Sequence, residues 1–226
     1  MLREVRAKEI VVLPFSGPLD PTRGESVSPS PVPAAPVRLR PASDGAALHG
    51  GDGRYEKFLG DLTGLYRDTE AFEAALAADD GRPVYWVESS TPDDGNGSLT
   101  VGLSVLEAGS IGDEYFMTRG HLHRRADRAE LYYGLSGRGV ILLDSLDGES
   151  HAIEITPGDA VHIPGHWVHR SVNVGTSRLA TLFCYPTDAG QDYALIEKAG
   201  GMRQLVVRDG DGWATRPNPD HRGYRD

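Results

Sequence analysis

The stretch "TRGHLHRRADRAELYYGLSG", Thr118 to Gly137, sets two histidines one residue apart and a glutamate seven positions beyond the second. On a strand, residues two apart face the same side, so His121 and His123 project from one face of an extended segment. The six residues between His123 and Glu130, "RRADRA", are polar enough for a connecting loop, and Glu130 opens the next strand. That loop returns the glutamate beside the two imidazoles, giving three candidate ligands on one wall. A fourth lies in "PGDAVHIPGHWVHRSVNVG", Pro157 to Gly175. Here "PGD" and "PG" read as turns, "AVHI" and "HRSVN" as strands, and His169 can point inward. An isolated histidine is more often a hydrogen-bonded structural residue than a ligand. His-x-His, a strand-opening glutamate and a distal histidine, all in strand context, point instead to a metal site made of His121, His123, Glu130 and His169. His162 and His166 read as structural, and His151 and His221 as surface residues.

Outward from this stretch, the chain from Pro83 is a series of short apolar runs separated by turn residues. They include "VYWVESS", "SLTVGLSVLEAG", "YFMTRGHLH", "ELYYGLSG", "GVILLDS", "HAIEI" and "LATLFCYP". Many short strands joined by Gly, Pro, Asp and Asn predict an antiparallel, all-β barrel or sandwich. Asp147-Gly148 marks a hairpin turn between two of them. Before the barrel, Thr69 reads as the N-cap of a short helix over "EAFEAALAADDG" that Gly81 ends. Helical signals then stop. Strand parity puts Tyr132 on the face of Glu130 and Tyr133 on the other, where it reads as barrel core.

Composition narrows the function. At 226 residues the chain can bury one sizeable core. Its formal charge of −10 opposes a general nucleic-acid or anionic-membrane surface and suits a small-molecule partner. Cys184 is the single cysteine, which excludes an intrachain disulfide and a thiolate zinc cluster and fits a reducing cytoplasm. The N-terminal apolar run is broken by Pro14, too short for a signal segment or a membrane span. Seven of the fifteen prolines fall in "FSGPLDPTRGESVSPSPVPAAPVRLRP". Residues 1–36 are therefore expected to form a mobile proline-rich extension, and residues 37–226 the folded domain.

At the level of motifs, Gly158-x5-Pro164 with His169-x3-Asn173, and His121-x-His123 with Glu130-x6-Gly137, resemble the two cupin motifs. His166 stands where the second motif usually has glycine, and the His123–Glu130 gap is longer than the general pattern. With that longer gap, the first motif together with "PGDAVHIPGHWVHRSVN" and "YPTDAGQDY" is similar to the cupin-type glucose-6-phosphate isomerases of archaea and some bacteria. The similarity runs from about Val37 to Val207. It implies a cupin fold, a double-stranded β-helix or jelly-roll barrel, to which the composition adds a short helix and the proline-rich extension that lies outside the similarity. It also implies a metal-dependent aldose–ketose isomerase acting on glucose 6-phosphate and fructose 6-phosphate, in glycolysis or gluconeogenesis, as a homodimer. His121, His123, Glu130 and His169 fall on the family's metal ligands. Thr118 and Gly120, with Ser104, fall where the family holds the substrate phosphate. Tyr132, Tyr185 and Tyr193 match tyrosines lining the sugar pocket, and Gln191 replaces a histidine usual in the family.

The residues themselves suggest the chemistry. Three imidazoles and one carboxylate suit iron, manganese, nickel or zinc better than magnesium, with Fe2+ first and Mn2+ second, one ion per subunit. Exposed N–H groups around Gly120, the Thr118 hydroxyl and the Arg119 charge can receive phosphate. Glu130 is the acidic group placed to carry a proton through an enediolate; direct hydride transfer is the alternative route. Tyr132 and Tyr185 would relay protons between sugar oxygens. Two rival readings stay open: an isomerase, epimerase or oxygenase with another substrate on the same scaffold, and a non-catalytic sugar-binding cupin.

Overall fold

The computed structural model describes residues 34–93, 95 and 97–225. The expected extension, residues 1–36, lies outside the described residues except for its last three. The described chain is an all-β cupin barrel made of two facing antiparallel sheets. One has six strands in the order Ala160–Ile163, Glu130–Ser136, Leu179–Pro186, Leu99–Leu106, Tyr85–Ser90 and Gly53–Lys57. The other has Ser150–Ile155, Gly139–Ser145 and Trp167–Asn173. Backbone bridges Met117↔Val172 and His121↔His169 continue this second sheet onto the segment that carries the histidines. Leu122–His123 then pairs with Gln191–Asp192. A C-terminal hairpin, Gln204–Asp209 with Gly212–Pro217, docks on Glu114–Tyr115.

Alternation positions the interior. Along Glu130–Ser136 the side chains of Glu130 and Tyr132 are buried while Leu131 and Tyr133 face out. The inward faces of both sheets meet in one apolar core containing Leu106, Ile141, Ile155, Ile163, Val172 and Phe183. Gly102 lets Phe183 lie flat against its neighbour strand, because a Cβ there would sit 2.2 Å from the Phe183 ring. The outer face of the six-stranded sheet carries a second cluster, in which Leu48, Trp86, Leu103, Val105 and Ala180 are covered by Leu39 and Ala46. The Trp86 indole donates to the Ala46 carbonyl at 3.0 Å and fastens that cover. No described helix is long and apolar enough to cross a membrane.

Several local expectations change. Helix Thr69–Ala77 is capped by Asp68, whose carboxylate accepts from the Ala71 N–H; Thr69 is its first residue, not its cap. The helix ends before Gly81, and a second short helix, Ala194–Lys198, follows the barrel where the sequence predicts none. Tyr133 is not core: it is 41% exposed, because parity assigns a face and this half of the outer face has no cover. His221 is not a surface residue, since its Nδ1 pairs with the Gly201 carbonyl at 2.8 Å and its Nε2 is buried. The C-terminal tail folds back there, and Tyr224 donates to buried Asp144 at 2.6 Å. His151 and His162 are exposed, as is His166, whose φ of +70° occupies the position where the motif favours glycine. The hairpin at Asp147-Gly148 forms as expected, with Asp144 opposite Ser150.

Candidate metal centre and its cavity

The centre is built on a backbone exchange. The His121 N–H donates to the His169 carbonyl at 3.0 Å, and the His169 N–H donates to the His121 carbonyl at 2.9 Å. This brings the histidine segment against strand Trp167–Asn173. Gly120 makes the approach feasible: its φ is +72°, and a Cβ would lie 2.8 Å from the His169 carbonyl oxygen. Glu130 reaches the same point from the opposite sheet as the first residue of its strand.

The four expected ligands converge, with one ligand atom from each lying within 4.8 Å of the others. His123 and His169 hold their Nε2 atoms 3.1 and 3.0 Å from Glu130 Oε2, and His121 Nε2 lies 3.9 Å from it. Main-chain carbonyls orient two of the rings, because His123 Nδ1 pairs with Arg128 O at 2.9 Å and His169 Nδ1 with Trp167 O at 3.0 Å. Those bonds require Nδ1–H, which leaves each Nε2 of a neutral ring as a lone pair aimed at a carboxylate that also presents lone pairs. Such an arrangement demands a cation between the groups, either a proton or a metal ion. His121 sharpens the point: its Nε2 is buried without a hydrogen-bond partner. Burial and the neighbouring His169 hold its pKa well below the usual histidine value, so it stays a neutral, electron-pair-bearing ring. Burial acts to raise the Glu130 pKa, but where the shared cation is a proton on Nε2, bonds from His123 and His169 outweigh burial and hold the carboxyl at about 2. The donor set is therefore three neutral-capable imidazoles and one ionised carboxylate, which fits a borderline transition-metal ion. The outward Nδ1 bonds are the outer support that metal-binding histidines ordinarily have.

The centre opens into a cavity of about 130 Å³. Every substrate residue expected from the sequence lines it. Ser104 lies on Leu99–Leu106, Thr118, Arg119 and Gly120 lie on the segment before the histidines, Tyr132 and Tyr185 on neighbouring strands of the six-stranded sheet, Gln191 on the strand Gln191–Asp192 and Tyr193 at the start of the helix that follows. Ser171 N–H donates to Thr118 Oγ1 at 3.1 Å, and the Arg119 guanidinium stacks 5.2 Å from the Tyr193 ring centroid. Gln191 donates to the Tyr185 hydroxyl at 3.0 Å. Burial raises the pKa of Tyr132, Tyr185 and Tyr193, so each hydroxyl keeps its proton at neutral pH and can donate to a sugar oxygen.

Other cavity residues escaped the sequence reading. Tyr85, Val87 and Ser89 come from one strand, and Phe183 and Arg170 are neighbours of residues already singled out. Phe183 was legible, because it shares the parity of Tyr185. Tyr85 was not, since only strand pairing across the sheet brings it to this wall.

Barrel and cluster together define a cupin-fold protein with a three-histidine, one-glutamate site built to bind a metal. Comparison with known proteins narrows the class. The model of the family described as Glucose-6-phosphate isomerase (GPI) matches residues 56–222. The glucose-6-phosphate isomerase of Sinorhizobium medicae is 45% identical over 190 residues, which is 84% of this chain and 87% of that protein. The glucose-6-phosphate isomerase of Thermococcus kodakarensis is 39% identical over 153 residues, 68% of this chain and 80% of its own. Among solved structures, recombinant oxalate oxidase in complex with glycolate aligns at 15% identity and a TM-score of 0.42, over 52% of this chain and 59% of that one. The chain belongs to the cupin-type glucose-6-phosphate isomerase family.

Proposed function

We propose that the protein interconverts glucose 6-phosphate and fructose 6-phosphate at this cavity, with one divalent ion held by His121, His123, Glu130 and His169. The observation that carries the reading is the convergence of those four side chains on one point, with His121, Glu130 and His169 lining the same cavity as the Thr118–Gly120 segment. A bound Fe2+, or Mn2+, Ni2+ or Zn2+, supplies Lewis acidity to the carbonyl and hydroxyl oxygens of the open-chain sugar. The chain's own groups do the rest. Thr118, Gly120 and Ser104 receive the phosphate, and Arg119 adds charge at the cavity wall. Glu130 lines the cavity with Oε2 turned to the imidazoles, and its carboxylate is the group available to move a proton between C1 and C2. Tyr132 and Tyr185 donate to the sugar oxygens, and Gln191 fixes the orientation of the Tyr185 hydroxyl. Tyr193 packs edge-on against His121, with ring centroids 5.8 Å apart, and lines the space the sugar would occupy.

The same reading makes the protein a homodimer working in the cytoplasm, in glycolysis or gluconeogenesis. Leu99, Leu131 and Tyr133, 49%, 43% and 41% exposed on the uncovered half of the outer sheet face, support a second copy there. The single cysteine supports a reducing compartment. The test is a coupled assay of the iron-loaded protein with fructose 6-phosphate, run in heavy water. Glucose 6-phosphate should form with deuterium at C2, because a proton resting on a carboxylate exchanges with solvent. Product without deuterium after many turnovers would replace the proton route with hydride transfer, and no product would overturn the function.

A further inference from the structure

We propose that Arg170 is the fixed counter-charge for the substrate phosphate and the positioning residue that shapes the Thr118–Gly120 segment to receive it. The inference rests on the phosphate reading above. Arg170 follows the ligand His169 on strand Trp167–Asn173 and is 6% exposed. Its guanidinium lies behind the segment and braces it at two points. Nη2 donates to the Arg119 carbonyl at 2.8 Å, and Nη1 meets the Met117 sulfur at 2.7 Å. The backbone finishes the brace, because Thr118 N–H donates to Ser171 O at 2.9 Å. A Cβ on Gly120 would lie 2.9 Å from the Arg170 Cβ, so the arginine stem is the floor on which the glycine rests.

The charge on Arg170 is poorly answered within the protein. Its bonds among the described residues go to a carbonyl and a thioether, none to a carboxylate, and its Nε is buried without a partner. Glu114 is the acid that shares a small neighbouring cavity with it. One oxygen of that carboxylate takes the Arg67 N–H at 2.7 Å, and the other, also buried, has no partner. Asp144 is used by Ser150, the Arg203 N–H and Tyr224. A guanidinium does not lose its proton in a protein, so burial without an ion pair leaves a standing positive charge. Arg170 lines the cavity with Thr118, Arg119 and Gly120, and its charge lies directly behind that segment. A phosphate dianion seated on the segment's donors completes the ion pair the fold leaves open. Arg119, half-buried and stacked on Tyr193, is the adjustable charge, and Arg170 is the fixed one.

The experiment uses the full-length, metal-loaded protein and inorganic phosphate as a competitive inhibitor, with metal content, KM and kcat measured alongside. Arg170→Met should weaken phosphate inhibition and raise the KM for fructose 6-phosphate by about tenfold each, with the loss concentrated in KM. Arg170→Lys, which keeps the charge, should recover most of both. Unchanged phosphate inhibition in Arg170→Met, or no recovery in Arg170→Lys, would overturn the proposal. If Arg170→Met does not fold, Glu114→Gln at pH 8 carries the test: removing the facing negative charge should tighten phosphate inhibition, and no tightening overturns the role. A wild-type protein without turnover overturns the underlying reading of the site. Turnover with Arg170→Met still fully inhibited by phosphate overturns only the part given to Arg170.

Discussion

At one end of the cavity, His123, His169 and Glu130 are fixed by mutual contacts, and main-chain carbonyls orient two of the rings, all within the buried interior. At the other end, the Thr118–Gly120 segment lines the cavity with one hydroxyl and a half-buried arginine. The first end is made of side chains held rigid by strands, the second of a short connection between strands held by its neighbour's backbone. The contrast teaches how the labour divides. Bond-making needs fixed geometry at sub-ångström tolerance, whereas a phosphate four carbons away needs charge and donors that tolerate different sugars.

Breaking the rigid end should cost most. His169→Ala removes a ligand, and with it one half of the support for Glu130, so metal content should fall below stoichiometric and kcat/KM should drop on the order of 10³-fold. Full metal content measured by atomic absorption, with wild-type turnover, would dissolve the distinction between the two ends. Gly120→Ala strikes the junction. The added methyl meets the His169 carbonyl in a left-handed conformation, and a loss of about 1–3 kcal/mol in denaturant unfolding is expected, with both metal affinity and KM impaired. If KM alone moved, the two ends would be mechanically independent.

The open end should show itself through the substrate. Glucose 6-phosphate should be preferred over glucose by about 10²-fold or more in kcat/KM, since a site equipped for a charged group is left unsatisfied without it. Equal turnover of the two sugars would strip the segment of its role. A smaller effect isolates the rigid end in the chelated protein. The Glu130 pKa, about 2 when folded against an ordinary value of 4.5, is depressed. Its stabilising contribution is therefore complete above about pH 4.5 and lost as pH falls towards 2. Melting temperature followed through that window should fall more steeply in wild type than in Glu130→Gln; parallel curves would show that the carboxylate is not held by the histidines. The smallest effect is expected from a chain starting at Val37, whose turnover and dimerisation should match the full chain because it leaves both ends intact. Loss of either would give the proline-rich segment a part in one of them.

The rigid end was readable from sequence because its residues obey local rules. His121 and His123 follow the two-residue period, Glu130 and Tyr132 share a parity, and His169 sits in a strand bounded by turn residues. Parity failed at Tyr133, since it sets which face a residue occupies while long-range packing decides whether that face is covered. Tyr85 and Arg170 were hidden for a related reason: each reaches the cavity through a partner strand far away in sequence. His221 was misjudged because the fold-back of the tail onto Asp144 leaves no periodic trace. Asp68 displaced Thr69 as the cap because either residue can cap, and the helix starts one position earlier than expected.

The two-way backbone bond between His121 and His169 also sets an order of events during synthesis. Glu130 and His169 are 39 positions apart, so a chain growing on the ribosome at about 5–20 residues per second carries an incomplete ligand set for about 2–8 s after Glu130 is added. Throughout that interval two histidines and a carboxylate are available to whichever ion is abundant, without the fourth ligand that fixes the geometry. The arrival of His169 closes the seam and completes the coordination set in one step, and the Tyr224 bond to Asp144 must wait for the last residues of the chain. The complete set of four candidate ligands thus belongs to the finished barrel rather than to the nascent peptide.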